Sequence, residues 1–326
     1  MIERPRRNRK SEAIRAMVQE TRIHKSQLVM PLFVQQKGSA PIVLEPLPGN
    51  FIWSPETILG EIEECLALGI ESFILFPKVN SELKDKTGSY GLQADNFYLE
   101  TARSIKSKFP ECVLISDIAL DPYSIDGHDG IVENGQILND ATVEILCEMA
   151  ILQAEAGFDI LGPSDMMDGR VGAIREALDD ADFTETSIMS YTAKYASCFY
   201  GPFRDALNSA PISDPSIPSD KKSYQMNPAN RREALIEADL DTAEGADYLM
   251  VKPAVHYMDV IHLLRKQSEL PIVAYHVSGE CAMLTAAAKL GYLDLDKAID
   301  ETLLSLRRAG ADIILTYFAK SYAQRY

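Results

Sequence analysis

Glu244-Gly245-Ala246-Asp247-Tyr248-Leu249-Met250-Val251-Lys252-Pro253 holds a helix stop, a buried strand and a reactive side chain in one short stretch. Glycine at the end of a helical pattern suits the left-handed position that closes a helix. The apolar run from Tyr248 to Val251 does not alternate with polar residues, which is the pattern of a strand covered on both faces. Lys252 then places an ammonium at the end of that strand, directly before a proline. Burial disfavours the charged form of lysine and so favours a nucleophilic amine able to attack a carbonyl and form a Schiff base. Lys194 ends a second run of this kind, Ile188-Met189-Ser190-Tyr191-Thr192-Ala193-Lys194.

The helix stop recurs as Ala156-Gly157-Phe158-Asp159 and Ala309-Gly310-Ala311-Asp312. Reading outward from these stops, strands are expected at 28–34, 72–77, 113–118, 159–161, 188–192, 248–252, 272–276 and 313–317. Helical patterns lie between and after them, at 55–68, 96–108, 140–156, 171–180, 230–243, 258–267, 280–290 and 296–309. Alternating strands and helices specify a parallel α/β fold. Eight such units, with no GxGxxG after the first strand, favour a closed (β/α)8 TIM barrel over an open doubly wound sheet. The barrel is assigned to residues 26–326. Residues 1–25 form an extended N-terminal arm and a first helix capped by Ser11. Long loops at 121–136 and 206–224, the latter with Pro211, Pro215 and Pro218, follow the third and fifth strands and so fall on the active-site face.

The chain has 326 residues, 46% hydrophobic and 25% charged, with a net charge of −16. That balance is of the ordinary globular class. The negative charge argues against a nucleic-acid partner, because phosphate neutralisation needs clustered cations. No apolar run reaches the roughly 18 residues of a membrane span, and the charged start carries no signal-like segment, so a cytoplasmic protein is expected. The five scattered cysteines make neither a disulfide framework nor a CxxC metal clip. Arg4, Arg6, Arg7, Arg9 and Lys10 reverse the overall sign, as a frayed solvated tail or an arm docking on an acidic neighbouring subunit would.

Placed at the ends of the fifth and sixth strands, Lys194 and Lys252 lie on neighbours roughly 4.8 Å apart in the sheet. Their mutual repulsion would add to desolvation in depressing both amines. Asp117, Asp121, Asp126 and Asp129 in the loop after the third strand could accept protons, pair with the lysines or hold a hard cation. Ser164-Asp165-Met166-Met167-Asp168-Gly169-Arg170 after the fourth strand adds a hydroxyl and carboxylates, with Asp168 expected to cap the following helix. A Schiff-base aldolase is an alternative, but it usually carries a phosphate-binding glycine cluster, and Gly279 stands alone. A catalytically silent barrel serving as a binding module is a third reading.

The chain resembles the porphobilinogen synthase (5-aminolevulinate dehydratase) family from Arg4-Pro5-Arg6-Arg7 to Tyr317. The resemblance is carried by Gly162-Pro163-Ser164-Asp165-Met166-Met167-Asp168-Gly169-Arg170, Ser197-Cys198-Phe199-Tyr200-Gly201-Pro202-Phe203-Arg204-Asp205, Met250-Val251-Lys252-Pro253 and Tyr275-His276-Val277-Ser278-Gly279-Glu280. It implies a lyase that condenses two 5-aminolevulinate molecules to porphobilinogen with loss of two waters, in haem and other tetrapyrrole biosynthesis. Lys252 corresponds to the lysine for the first substrate and Lys194 to that for the second. Ser278 and Tyr317 correspond to the anchors of the first carboxylate, and Arg204, Lys221 and Gln225 to those of the second. Asp117 corresponds to an aspartate that helps in proton transfer.

The chain departs from the zinc-dependent members of that family. Where they carry three cysteines, this sequence has Ala119, Asp121 and Asp129, so no catalytic zinc is expected. Asp121 and Asp129 are expected to orient the substrate amine or to hold magnesium or a monovalent ion. Glu237, in Arg231-Arg232-Glu233-Ala234-Leu235-Ile236-Glu237, matches a family glutamate for an allosteric Mg²⁺ at a subunit interface. The basic arm then reads as the contact of a homo-octamer.

Overall fold

The computed structural model describes residues 2–326. Eight parallel strands close on themselves: β1 (Leu28–Gln35), β2 (Ser72–Lys78), β3 (Val113–Ile115), β4 (Ile160–Leu161), β5 (Ser187–Lys194), β6 (Tyr248–Lys252), β7 (Ile272–His276) and β8 (Ile313–Thr316). Each pairs with its sequence neighbour, and β8 returns to β1 with Leu28 opposite Ile314 and Val29 opposite Leu315. The expected TIM barrel is therefore the fold observed. The strands are covered on both sides, as their unbroken apolar runs required: Leu249, Met250 and Val251 of β6 are all 0% exposed. Each large apolar side chain buried in this way contributes roughly 1.5–3 kcal/mol.

Helices Ile58–Ala67, Phe97–Lys108, Asn139–Glu155, Arg170–Asp180, Arg232–Ala243, Met258–Gln267, Ser278–Lys289 and Leu295–Ala309 run outside the strands. The three glycine stops end helices with positive φ at Gly157, Gly245 and Gly310. Ser11 accepts the Ile14 N–H at 3.3 Å and so caps the helix Glu12–Met17. Asp168 does not cap the helix that follows it. Gly169 takes the N-cap position, and the Asp168 N–H is held instead by the Asn139 side chain at 2.8 Å.

β3 is shorter than expected because the chain leaves the sheet after Ile115, keeping only an isolated bridge from Ile118 to Pro163. That early exit aims Asp117 and the loop beyond it at the mouth of the barrel. The same loop contains an unforeseen hairpin, Ile131–Glu133 with Gln136–Leu138. Its turn is Asn134-Gly135, both at positive φ, and an Asn-Gly pair is the strongest short-range hairpin signal. A short helix, Gly201–Leu207, opens the segment after β5 and carries Arg204.

Candidate active site

β5 and β6 bring the two lysines together. Lys194 and Lys252 are direct register partners across the parallel pair, after a register shift between Leu249 and Val251. Both are buried, at 6% and 5% exposure. Their surroundings differ.

Lys252 Nζ lies 4.9 Å from the ring centre of Tyr191, 5.4 Å from Tyr200, 5.0 Å from Phe203 and 4.5 Å from Tyr275. Aromatic faces attract a cation but cannot replace its water. Burial, with the nearby Lys194 ammonium adding to it, holds Lys252 down to about 7 against the opposing pull of Asp117, Asp121 and Asp129. Its backbone is pinned as well: the Lys252 carbonyl accepts the Tyr195 N–H at 2.9 Å and the Tyr200 hydroxyl at 3.0 Å.

Lys194 instead forms an ion pair with Asp129 Oδ2 at 3.3 Å and donates to the backbone carbonyl of Ser164. The two amines therefore sit in different surroundings, one in an aromatic cage and one against a carboxylate. The Ser190 hydroxyl does not flank the lysines, because it faces away from them and donates to Asp241 at 2.6 Å.

Asp117 is buried beside both lysines. Burial and the like charge of Asp121 push its carboxyl up to about 7, with Lys252, Lys194 and the Ser164 hydroxyl pulling the other way. Burial would also raise Asp129, but Lys194 and Lys221 outweigh it and hold that carboxyl below the ordinary range. Lys221 bridges the two remaining aspartates, 3.3 Å from Asp121 Oδ2 and 3.1 Å from Asp129 Oδ1. Gln225 Nε2 adds a contact of 3.4 Å to Asp129, and its Oε1 has no partner among the described residues. Arg204 lies over the Tyr200 ring at 5.5 Å and has no carboxylate partner among the described residues. On the far side of the mouth, the Ser278 hydroxyl accepts the Phe203 N–H at 3.1 Å. The Tyr317 and Tyr275 hydroxyls are 3.1 Å apart.

Contacts link Lys194, Asp129, Asp121, Lys221 and Gln225 into one cluster. Among the described residues Asp126 makes only backbone contacts, to Ser124 and Ile212, and Glu237 stands apart. That carboxyl is half-buried on the helix Arg232–Ala243 and lines a separate cavity of about 500 Å³ with Asp168, Glu233 and Asn139. Burial pushes it up to about 7, Arg170 opposes, and Asp241, Asp168 and Glu233 add repulsion. The aromatic cage was not foreseen. Tyr200, Phe203 and Tyr275 lie inside the motifs quoted above, and aromatic residues around a strand-end lysine were the available signal.

A parallel barrel with adjacent buried lysines at the C-terminal ends of its strands, ringed by aspartates and a free guanidinium, is built for imine chemistry on keto acids. The chain belongs to the delta-aminolevulinic acid dehydratase family, whose sequence profile matches residues 2–325. It is 55% identical over 326 residues to the chloroplastic delta-aminolevulinic acid dehydratase of Physcomitrium patens, covering 99% of this chain and 74% of that one. The Chlamydia pneumoniae enzyme of the same name is 50% identical, with 97% of this chain and 94% of that one covered. Among solved structures, the Toxoplasma gondii delta-aminolevulinic acid dehydratase (porphobilinogen synthase), in complex with the reaction product porphobilinogen, superposes with a TM-score of 0.97. It is 49% identical and the match covers 100% of this chain and 92% of that one.

Proposed function

We propose that this lyase condenses two 5-aminolevulinate molecules to porphobilinogen, holding each substrate as an imine on its own lysine. The observation that carries the assignment of roles is the register pair Lys252 and Lys194, with Lys252 depressed inside its aromatic cage. The neutral Lys252 amine attacks the ketone of the first substrate and one water leaves. Ser278 and Tyr317 supply uncharged hydroxyl donors to that substrate's carboxylate. Lys194, released from Asp129, forms the second imine with loss of another water, and Arg204, Lys221 and Gln225 bind the second carboxylate through charge-assisted bonds. Formation of the carbon–carbon and carbon–nitrogen bonds returns both amines, so the pyrrole forms with two waters lost overall. Asp117, poised near neutrality, carries protons between these steps, and Ser164, Asp121 and Asp129 orient the amines around it.

Glu237 is the residue proposed to hold Mg²⁺. A half-buried carboxyl raised by burial, with Asp241, Asp168 and Glu233 adding repulsion, favours a cation. Among the described residues no three His, Cys, Asp or Glu side chains converge as a metal cage, so an ion here would keep most of its waters, as magnesium does. It would supply charge neutralisation between elements, away from the reacting atoms. At the barrel mouth Ala119 has no ligand atom, and zinc is given no role there. A monovalent cation would share the Asp121 and Asp129 oxygens with Lys221, and it is assigned no step. Neither the arm's turn Pro5–Arg9 nor the helix Glu12–Met17 buries any residue within the chain, which supports docking on other copies in a homo-octamer. Among the described residues no helix is long and apolar enough to cross a membrane. All five thiols are free, which suits the reducing cytoplasm proposed as its compartment.

Borohydride reduction in the presence of 5-aminolevulinate tests the assignment. A reduced adduct on Lys252, located by peptide mass spectrometry, is expected. No adduct, or an adduct only with other carbonyl compounds, would overturn it.

A further inference from the structure

We propose that Lys84 is a positioning residue for the second substrate, acting through the short helix that carries Arg204. The inference rests on the reading above for which carboxylate Arg204 receives. Lys84 lies in the loop after β2, outside every sequence motif singled out and outside all the substrate contacts assigned so far. Its ammonium donates to the backbone carbonyl of Asn208 at 2.9 Å. Asn208 is the residue that ends the helix Gly201–Leu207, in the left-handed conformation with φ 51° and ψ 51°. The last carbonyls of a helix have no partner within it and carry partial negative charge, so a cation at that end is favourable.

The other end of the same helix is held as well, by the Phe203 N–H donated to Ser278 Oγ at 3.1 Å. Arg204 is thus carried on a helix of 7 residues tied at one end to an anchor of the first substrate and at the other to Lys84. Without the second tie the C-terminal end of the helix is held only by the packing of Ala206 and Leu207, and the guanidinium is aimed less firmly. Lys84 itself stands on firm ground: the Asp85 N–H donates to the Tyr123 carbonyl at 3.2 Å, and the Ile125 N–H donates to the Asp85 carbonyl at 2.9 Å. The latch is therefore rooted in the loop that also bears Asp121 and Asp129. Burial holds the Lys84 ammonium below its ordinary value, with Asp121 opposing and Lys221 adding to the shift. Lys84 accordingly lies within electrostatic reach of the pocket that takes the second carboxylate.

Lys84→Met and Lys84→Arg test this on the full chain. With Lys84→Met, half-saturation for porphobilinogen formation is expected to rise roughly tenfold, the scale of a lost hydrogen bond to a charged group at a partly exposed site. Borohydride trapping of 5-aminolevulinate on Lys252 should stay at the wild-type level, and proteolysis within 206–220 should quicken. Lys84→Arg keeps a cation within reach of the Asn208 carbonyl, so it should recover most of the affinity and show that the methionine variant did not merely fold badly. Unchanged half-saturation in Lys84→Met would overturn the latch. So would an equal loss of trapping on Lys252, which would mean a role not confined to the second substrate. Failure of the wild type to trap substrate on Lys252 would instead sink the functional reading beneath it.

Discussion

Lys252 and Lys194 share a register and a burial depth, yet their neighbours divide the chemistry between them. Burial among four aromatic rings, with the Lys194 charge adding to it, holds the Lys252 amine down to about 7. An unfolded lysine keeps its proton up to about 10.4. Between about 7 and about 10.4 the unfolded chain therefore binds the extra proton, and this group makes stability rise with pH across that window. Below pH 7 the folded chain bears the full cost of a caged ammonium. Lys252→Met should thus melt higher than wild type at pH 6, by on the order of 1–3 kcal/mol, while losing pyrrole formation by about 10³-fold or more. Calorimetry and a product assay on one sample check both halves, and a less stable variant would contradict the cage. Asp117 contributes to holding the Lys252 proton on. Asp117→Asn should move the rising limb of kcat/KM, which tracks the free amine, to lower pH, and lower kcat by about 10²-fold through loss of the proton carrier. A rising limb that stays in place would count against the pairing. The lysines were legible because each closes an apolar strand. The cage was not, because its rings come from β5, the segment after it and β7, and residue spacing does not fix where a ring points. The Ser190 hydroxyl faces away from Lys194, four residues on in the same strand, because β5 carries an extra residue between them: Leu249 opposes Ser190 but Val251 opposes Ala193.

At the scale of elements, the two loops beyond β3 and β5 pack against each other, as the halves of a lid would. His128 is fully buried between them, with Nε2 2.8 Å from the Pro218 carbonyl and Nδ1 3.0 Å from the Tyr224 hydroxyl. Burial lowers its pKa, so the ring bonds as a neutral group. Gly127 lies so close to the backbone of Ala210 that a Cβ there would sit 2.2 Å from the Ala210 oxygen. Such a lid would exclude the water that hydrolyses imines. A keto acid lacking the amine, such as levulinate, should protect 206–220 from proteinase K, and unchanged cleavage would count against closure. His128→Ala should cleave faster in the same segment without ligand and require more substrate for half-saturation. The length of both loops, and the prolines of the second, marked them in the sequence as functional. Their mutual packing was not readable, since it joins residues about ninety positions apart through backbone groups that any sequence carries. The hairpin at Asn134-Gly135 is legible from its dipeptide alone.

The whole molecule places its proposed metal site on a different cavity from its chemistry. Glu237 points into a space shared with Asp168, Glu233, Tyr224 and Pro218. The first two are carboxylates that repel it, and the last two hold His128 of the lid. A hydrated cation there would relieve the repulsion and brace the same residues that keep the loops together. The exposed faces nearby, with Ile236 at 61% and Leu240 at 51%, are apolar on the same helix and suit a neighbouring copy. Magnesium should therefore act on assembly and lid order together, leaving the lysines alone. After chelation, added Mg²⁺ is expected to raise wild-type activity and shift sedimentation towards the larger assembly, while Zn²⁺ or K⁺ added alone should do neither. Glu237→Gln keeps the shape but removes the charge. It should lose the response to Mg²⁺ while still trapping 5-aminolevulinate on Lys252 with borohydride. The glutamate form also gives the effect a pH sign: protonation of a carboxyl raised to about 7 competes with the metal, so half-saturation by Mg²⁺ should weaken as pH falls through 7 and the dependence should vanish in Glu237→Gln. A glutamine variant that still responds to Mg²⁺ would place the ion elsewhere.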